Sequence, residues 1–234
     1  MKKTTLNYVV ASIKSWNIET FHRRIPSLPG QWHLIDDRDD LTVERLKKLN
    51  PRYVFFPHWS WKVPDEILKA AECVAFHMTD LPYGRGGSPL QNLILSGHKT
   101  TQLSAILMTD EIDAGPVYMK RPLSLDGKAQ DIYERMADLV YDMIDEIITK
   151  EPQPVSQQGE PTFFNRRSPD QSLLPADGNI HELYDHIRML DAETYPRAFL
   201  RNGKTNLEFS EARLLGDGTL RAVVKITPHK EDVT

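Results

Sequence analysis

Cys73–Pro116, CVAFHMTDLPYGRGGSPLQNLILSGHKTTQLSAILMTDEIDAGP, decides how this chain is read. A short apolar run, CVAF, delivers His77 to a loop rich in Gly, Pro and polar residues. A second run, LSAILM, delivers an acidic turn, Thr109 to Gly115. If the two runs are neighbouring strands, an imidazole and the Asp113 carboxylate emerge from one sheet. That is a candidate acid–base pair, because neutral imidazole takes up a proton near neutral pH and a nearby carboxylate fixes its tautomer. Taken alone, a histidine after a strand is more often structural, and an Asp in a tight turn is often only a turn residue. Their joint position at the mouth of a sheet is what raises them to a site.

Working outward, LNYVVAS (6–12), QWHLID (31–36), YVFF (53–56) and CVAF read as short strands. A mixed segment through Arg24, the stretch after Asp40 and PDEILKAA (64–71) read as intervening helices, with Asp40 or Thr42 as a cap for the second. This alternation indicates βαβ units and an α/β fold with a mostly parallel sheet. Such sheets bind ligands beyond the carboxyl ends of their strands. Those ends are Ser12 with the loop holding Trp16 and Asn17, Asp36, the 57–61 loop PHWSW, and His77. Residues 88–97 suggest a helix closed by Gly97, and 128–149 carry the clearest helical period, from Ile132 to Ile148. A proline-rich stretch follows, then a helix at NIHELYDHIRML, a hairpin from NLEFSEARLL to TLRAVVKI, and a frayed HKEDVT tail. The expected division is a core over 1–150, an extended linker over 151–175 and a small C-terminal α+β annex over 176–234.

The formal net charge is −4 over 234 residues, which provides no overall basic field for nucleic acid. The single cysteine, Cys73, sits in an apolar run and reads as a buried structural thiol. No His-x-x-x-His or comparable cluster suggests a metal, and no Ser stands in a nucleophile elbow. The N-terminus reads as a first strand, with neither a signal peptide nor a membrane span, and a cytoplasmic protein is expected.

The loop His77-Met-Thr-Asp-Leu-Pro82-Tyr-Gly-Arg85-Gly86-Gly-Ser-Pro89-Leu-Gln91, followed by Asp110-Glu-Ile-Asp113-Ala-Gly115, resembles the two motifs of folate-dependent formyltransferases. The resemblance extends weakly to HWSWKVPDEIL and to the segment from Asn179 to Leu200. It implies a Rossmann-like formyltransferase core, with N10-formyltetrahydrofolate as co-substrate and no metal. It implies that His77 takes or relays a proton and that Asp113 supports the imidazole. Backbone groups around Trp61, Lys62 and Val63, and around Glu111 and Ile112, would hold the pterin. Transfer passes through a tetrahedral carbon bearing an oxyanion, which needs hydrogen-bond donors in place. The family usually has an Asn two residues before the His, where this chain has Ala75. Asn92 is the candidate substitute donor, against an exposed helical amide as the alternative, and Asn17 is a second candidate.

Within the family, the wording FHMTDLPYGRGGSPLQNLI resembles the sugar N-formyltransferase branch, including members of pseudaminic-acid-type pathways. That resemblance implies formylation of a nucleotide-linked 4-amino-deoxysugar, with UDP as the expected nucleotide. Arg85, Lys14, Arg166 and Arg167 would face its diphosphate, and Tyr83, Trp16 and Trp59 would stack or pack on it. Asn17 lies on the same edge. The acidic DDRDD stretch and the short C-terminal part argue against transfer RNA. The expected partner is thus a nucleotide sugar, with no nucleic acid and no membrane, and a homodimer is allowed. Alternatives are formylation of a carrier-bound amino acid, hydrolysis of the folate, and folate or nucleotide-sugar binding without turnover.

Overall fold

A computed structural model describes residues 5–228; the HKEDVT tail lies outside them. The elements in chain order are β1 (Asn7–Ala11), α1 (Ser15–Arg24), β2 (Gln31–Ile35), α2 (Val43–Leu49), β3 (Tyr53–Pro57), α3 (Asp65–Ala70) and β4 (Cys73–His77). Then come the two-residue strand β5 (Arg85–Gly86), α4 (Pro89–Leu95), β6 (Thr100–Leu107), β7 (Val117–Ser124) and α5 (Ala129–Lys150). The last are the two-residue strand β8 (Phe163–Phe164), α6 (Ile180–Arg188), β9 (Ala198–Asn202), β10 (Thr205–Leu214) and β11 (Leu220–Pro228). They form two compact units. One holds the residues up to Gly86, Thr101–Leu123 and Glu134–Phe163; the other holds Gly87–Thr100, Ser124–Tyr133 and the described residues from Phe164 onward. These units interleave along the chain, whereas the expected division was linear.

The first unit is built on a six-stranded sheet in the order β2-β1-β3-β4-β6-β7. Strands β2, β1, β3 and β4 are mutually parallel, and β6 joins β4 antiparallel. This is a Rossmann-like α/β sheet with a reversed edge. Alternation along the strands sends Val9, Ala11, Val54, Phe56 and Cys73 to one face, where they pack with Leu46 of α2 and Ile67 of α3. The Cys73 thiol is buried there, and burial pushes its pKa up to about 12. That suits an inert packing residue. Helix α2 starts where expected: the Thr42 hydroxyl accepts from Arg45 N at 3.2 Å, and Asn50 ends it in the left-handed region. Along α5, Met136, Val140, Met143, Ile144 and Ile147 are fully buried, confirming the apolar stripe as core. Its polar side holds α1 through Arg23–Asp138 and Arg24–Asp142 ion pairs at 2.7 and 2.5 Å. Both pairs are largely exposed and contribute little to stability.

In the second unit, α6 packs on β10 of a three-stranded antiparallel sheet, β11-β10-β9. Asn179 and Glu182 form a reciprocal capping box at the start of α6. The buried Arg188 guanidinium is satisfied by Asp185 and by the Leu125 and Gly127 carbonyls. Gln91 of α4 donates to the Tyr133 hydroxyl and the Met189 carbonyl. Asp191, also buried, pairs with Arg197 and accepts from Glu211 N at the bulge in β10. Each buried polar group named here therefore has a partner, as a low-dielectric interior requires. No described helix is long and apolar enough to cross a membrane.

Candidate active site

His77 ends β4 with only 8% of its surface exposed. Its Nε2 lies 2.8 Å from the Gly84 carbonyl. A carbonyl oxygen can only accept, so Nε2 carries the hydrogen and Nδ1 presents the lone pair. Nδ1 stands 3.6 Å from Asp113 Oδ1. That is longer than a hydrogen bond, but close enough for the carboxylate to stabilise an imidazolium.

Antiparallel pairing alone would carry the acidic turn away from the imidazole. His77 pairs with Ser104, while Leu107, where β6 ends, pairs with Val74. The chain between Leu107 and Pro116 makes an excursion closed at its base by Leu107 N donating to Pro116 O. That excursion brings Asp113 back to His77. Its carboxylate is anchored by Gly86 N, which donates to Oδ2 at 2.9 Å. Asp113 itself sits in the left-handed region at φ +54°, a position that Asp tolerates better than most residues.

A residue absent from the sequence reading completes this arrangement. Gln157, in the stretch taken as a linker, donates its side-chain amide to the Asp113 and Gly115 carbonyls, both at 2.8 Å. Its Oε1 accepts from Arg85 Nε at 3.2 Å and from an Arg85 terminal nitrogen at 2.9 Å. Arg85 also reaches Glu111 at 3.3 Å. Its guanidinium therefore supports the acidic turn, which is not the diphosphate-binding role expected of it. No sequence signal marks Gln157, which lies 44 residues from Asp113.

The other expected residues fall into three groups. Trp16 and Asn17 belong to α1 and are buried, at 3% and 0% exposure, so neither is displayed in a loop for a ligand. Asn17 gives its amide to the Pro57 carbonyl at 3.3 Å, and Lys14 lies over the Trp16 ring. Tyr83 is half-buried in the turn after His77. In the second unit, the Asn92 amide donates to the Gly87, Ser88 and Asn165 carbonyls at 3.0–3.2 Å. Its two hydrogens are committed there, which corrects the reading of Asn92 as a donor held ready for an oxyanion. Asn92→Ala is expected to lower stability by about 1–2 kcal/mol through the orphaned carbonyls while leaving turnover within severalfold. Thermal melts beside steady-state rates check this, and a large loss of turnover at unchanged stability would restore the donor role.

The loop expected to hold the pterin is anchored at one end and exposed at the other. Val63 is buried in the core and fixes the loop, whereas Trp61 is 37% exposed and stands edge-to-face with Trp59. Among the described residues, the backbone groups of Trp61, Lys62 and Val63 make no backbone–backbone hydrogen bond. Glu111 and Ile112 are exposed on the acidic turn. His58 is not a competing base. Its residue surface is only half-buried, but its ring lies deep enough that burial, then the Lys14 charge, push its pKa down to about 3. Ala75 is half-buried between buried Val74 and Phe76 and offers no donor.

The scaffold is a Rossmann-like α/β sheet with an imidazole and a carboxylate brought together at the carboxyl end of β4. Residues 169–227 match the family model described as methionyl-tRNA formyltransferase, C-terminal domain. The fold is also that of a solved structure titled methionyl-tRNA formyltransferase, from Clostridium thermocellum. The two are 46% identical, at a TM-score of 0.92, over 95% of this chain and 99% of that one. A methionyl-tRNA formyltransferase from Thermodesulfovibrio yellowstonii is 25% identical over 68% of this chain and 53% of its own length. The chain spans between 53% and 62% of the lengths of three such curated relatives. A sugar N-formyltransferase from a Shewanella species, at 16% identity and a TM-score of 0.64, shares the fold alone. The chain belongs to the formyltransferase family, the one that includes the methionyl-tRNA formyltransferases.

These similarities correct the substrate expected from sequence. The matches with appreciable identity are described as acting on methionyl-tRNA, so neither the nucleotide-linked amino sugar nor the exclusion of nucleic acid stands. The exclusion rested on net charge, on the acidic DDRDD stretch and on the short C-terminal part; net charge averages over the whole chain and says little about any one face.

Proposed function

We propose that this chain transfers the formyl group of N10-formyltetrahydrofolate to the α-amine of methionyl-tRNA. The observation that carries this is the end-to-end match, at 46% identity, to a protein titled methionyl-tRNA formyltransferase. It lies closer to the carrier-bound amino acid alternative than to any sugar. Bound folate supplies the activated formyl group, with Trp61–Val63 and the acidic turn as its holders. His77 Nδ1 accepts the proton that the amine loses as its nitrogen bonds to the formyl carbon. Asp113 stabilises the resulting imidazolium, and the Gly84 carbonyl keeps the ring in the required tautomer. The proton then passes to the folate nitrogen released when its bond to the formyl carbon breaks, so atoms and charge balance.

The C-terminal sheet supports a polyanionic carrier. Register places Arg201, Arg213, Arg221 and Lys225 on one face, each exposed, with Glu208 as a counter-charge. Phosphate contacts of this kind tolerate a negative total charge.

The test incubates the protein with N10-formyltetrahydrofolate and either methionyl-tRNA or free methionine. The expected result is one added formyl group on the methionine of the charged tRNA. Arg221→Glu and Lys225→Glu should weaken tRNA binding, and each should flatten the log K against log salt slope by about one. Folate consumption with no formylated amine would replace this reading with that of a hydrolase.

A further inference from the structure

We propose that Gln157 is a positioning residue for the Asp113 carboxylate, and that with Arg85 it forms a clamp joining the acidic turn to the loop after His77. This rests on the formyl-transfer reading of the site.

The chemistry of the side chain is the first support. A primary amide has two hydrogens and one oxygen with two lone pairs. In Gln157 both hydrogens go to the Asp113 and Gly115 carbonyls, and the oxygen takes two hydrogens from Arg85. A flipped amide would set oxygen against two carbonyls and nitrogen against a guanidinium, so one orientation alone fits. A carboxylate here would retain Arg85 but repel both carbonyls, and a shorter amide would not span the gap.

The second support is what the clamp joins. Arg85 precedes Gly86, whose N–H holds Asp113 Oδ2 at 2.9 Å. Gly84, on the other side of Arg85, carries the carbonyl that orders His77, and its N–H donates to the Thr162 hydroxyl at 2.8 Å. Arg85 N donates to the Thr162 carbonyl at 2.9 Å. The stretch from Gln157 to Thr162 thus braces both halves of the catalytic pair. The third is conformational: Asp113 is held at φ +54°, a region that costs an L-residue energy and persists only where its surroundings impose it. Gln157 grips the carbonyl of that residue.

Steady-state kinetics with N10-formyltetrahydrofolate and methionyl-tRNA, on Gln157→Leu and Gln157→Glu, test the proposal. Both should lose roughly 10- to 100-fold in kcat, as expected when a catalytic group shifts by a fraction of an ångström, with a smaller rise in folate KM because the acidic turn also faces the folate. In an Asp113→Ala background the Gln157 changes should cost less than about 3-fold more, because they act through a group already removed. Amide hydrogen exchange should show Gly86 N–H exchanging about tenfold faster in Gln157→Glu, beyond any change in amides remote from the acidic turn. Wild-type kcat in both variants, losses that multiply in the double variant, or unchanged Gly86 exchange would each overturn the clamp. If the wild-type protein formylates nothing, the functional reading fails by itself, and Gly86 exchange still decides the positioning claim.

Discussion

His77→Ala is expected to lower kcat for formyl transfer by about 10²- to 10⁴-fold, the range general acid–base groups contribute, while folate binding stays within a few fold. The separation follows from the geometry. The imidazole contacts the Gly84 carbonyl through Nε2 and faces Asp113 through Nδ1. The groups proposed to hold the pterin are the backbone of Trp61–Val63 and the exposed residues of the acidic turn. Removing the ring also leaves the Gly84 carbonyl with only the longer bond from the Thr79 hydroxyl, at 3.4 Å, so some loosening of the loop accompanies the loss. His77→Gln restores a donor of similar reach without a base. If His77 is the proton acceptor, the glutamine variant is as inactive as the alanine one but melts closer to the wild type. Single-turnover transfer rates and folate titrations, run with thermal melts, separate these effects. A His77→Ala rate near that of the wild type would move the proton acceptor elsewhere.

His77 and Asp113 were legible because each follows a short apolar run, and the polar character of the intervening loop signals a sheet mouth. Hydrophobic runs do not encode direction, so the antiparallel placement of β6 was not legible. Trp16 and Asn17 were misplaced in a loop for a definite reason. Helix α1 begins at Ser15 with Lys14 at its N-cap, no side-chain cap and no acid in its first turn. The usual start signals are therefore missing. An Asn buried at 0% exposure also reads from sequence as a surface residue, because its partner, the Pro57 carbonyl, lies 40 residues away. Strand β9 went unread between the end of α6 and the hairpin because AFLRN is short, although Asn202-Gly203 after it marks the turn into β10. Gln157 shows the limit most clearly: an uncharged side chain in a proline-rich stretch has no local pattern, and its four hydrogen bonds exist only once the acidic turn and Arg85 are folded.

Gly115→Ala should damage both fold and activity, because no side chain fits beside that glycine. A Cβ there would stand 1.7 Å from the Leu107 carbonyl oxygen and 2.9 Å from its carbon. Both atoms are backbone, and Leu107 N is itself bonded to Pro116 O at 2.8 Å. Neither side can yield as a flexible side chain would. The variant must open the base of the excursion, at a cost of about 3 kcal/mol or more, in the upper tail for single substitutions. Moving that base pulls the Gly115 and Asp113 carbonyls off Gln157 and takes the carboxylate away from His77. A shift of about 1 Å at a catalytic group costs on the order of 10²-fold in rate. Gly216→Ala is the control. Its added Cβ would meet no atom within 4 Å, and stability should stay within about 0.5 kcal/mol of the wild type. Denaturant melts and formyl-transfer rates on the two variants decide the matter. Should Gly115→Ala match Gly216→Ala in both, the acidic turn is free to move without consequence, and Asp113 is not held in place by the base of its own loop.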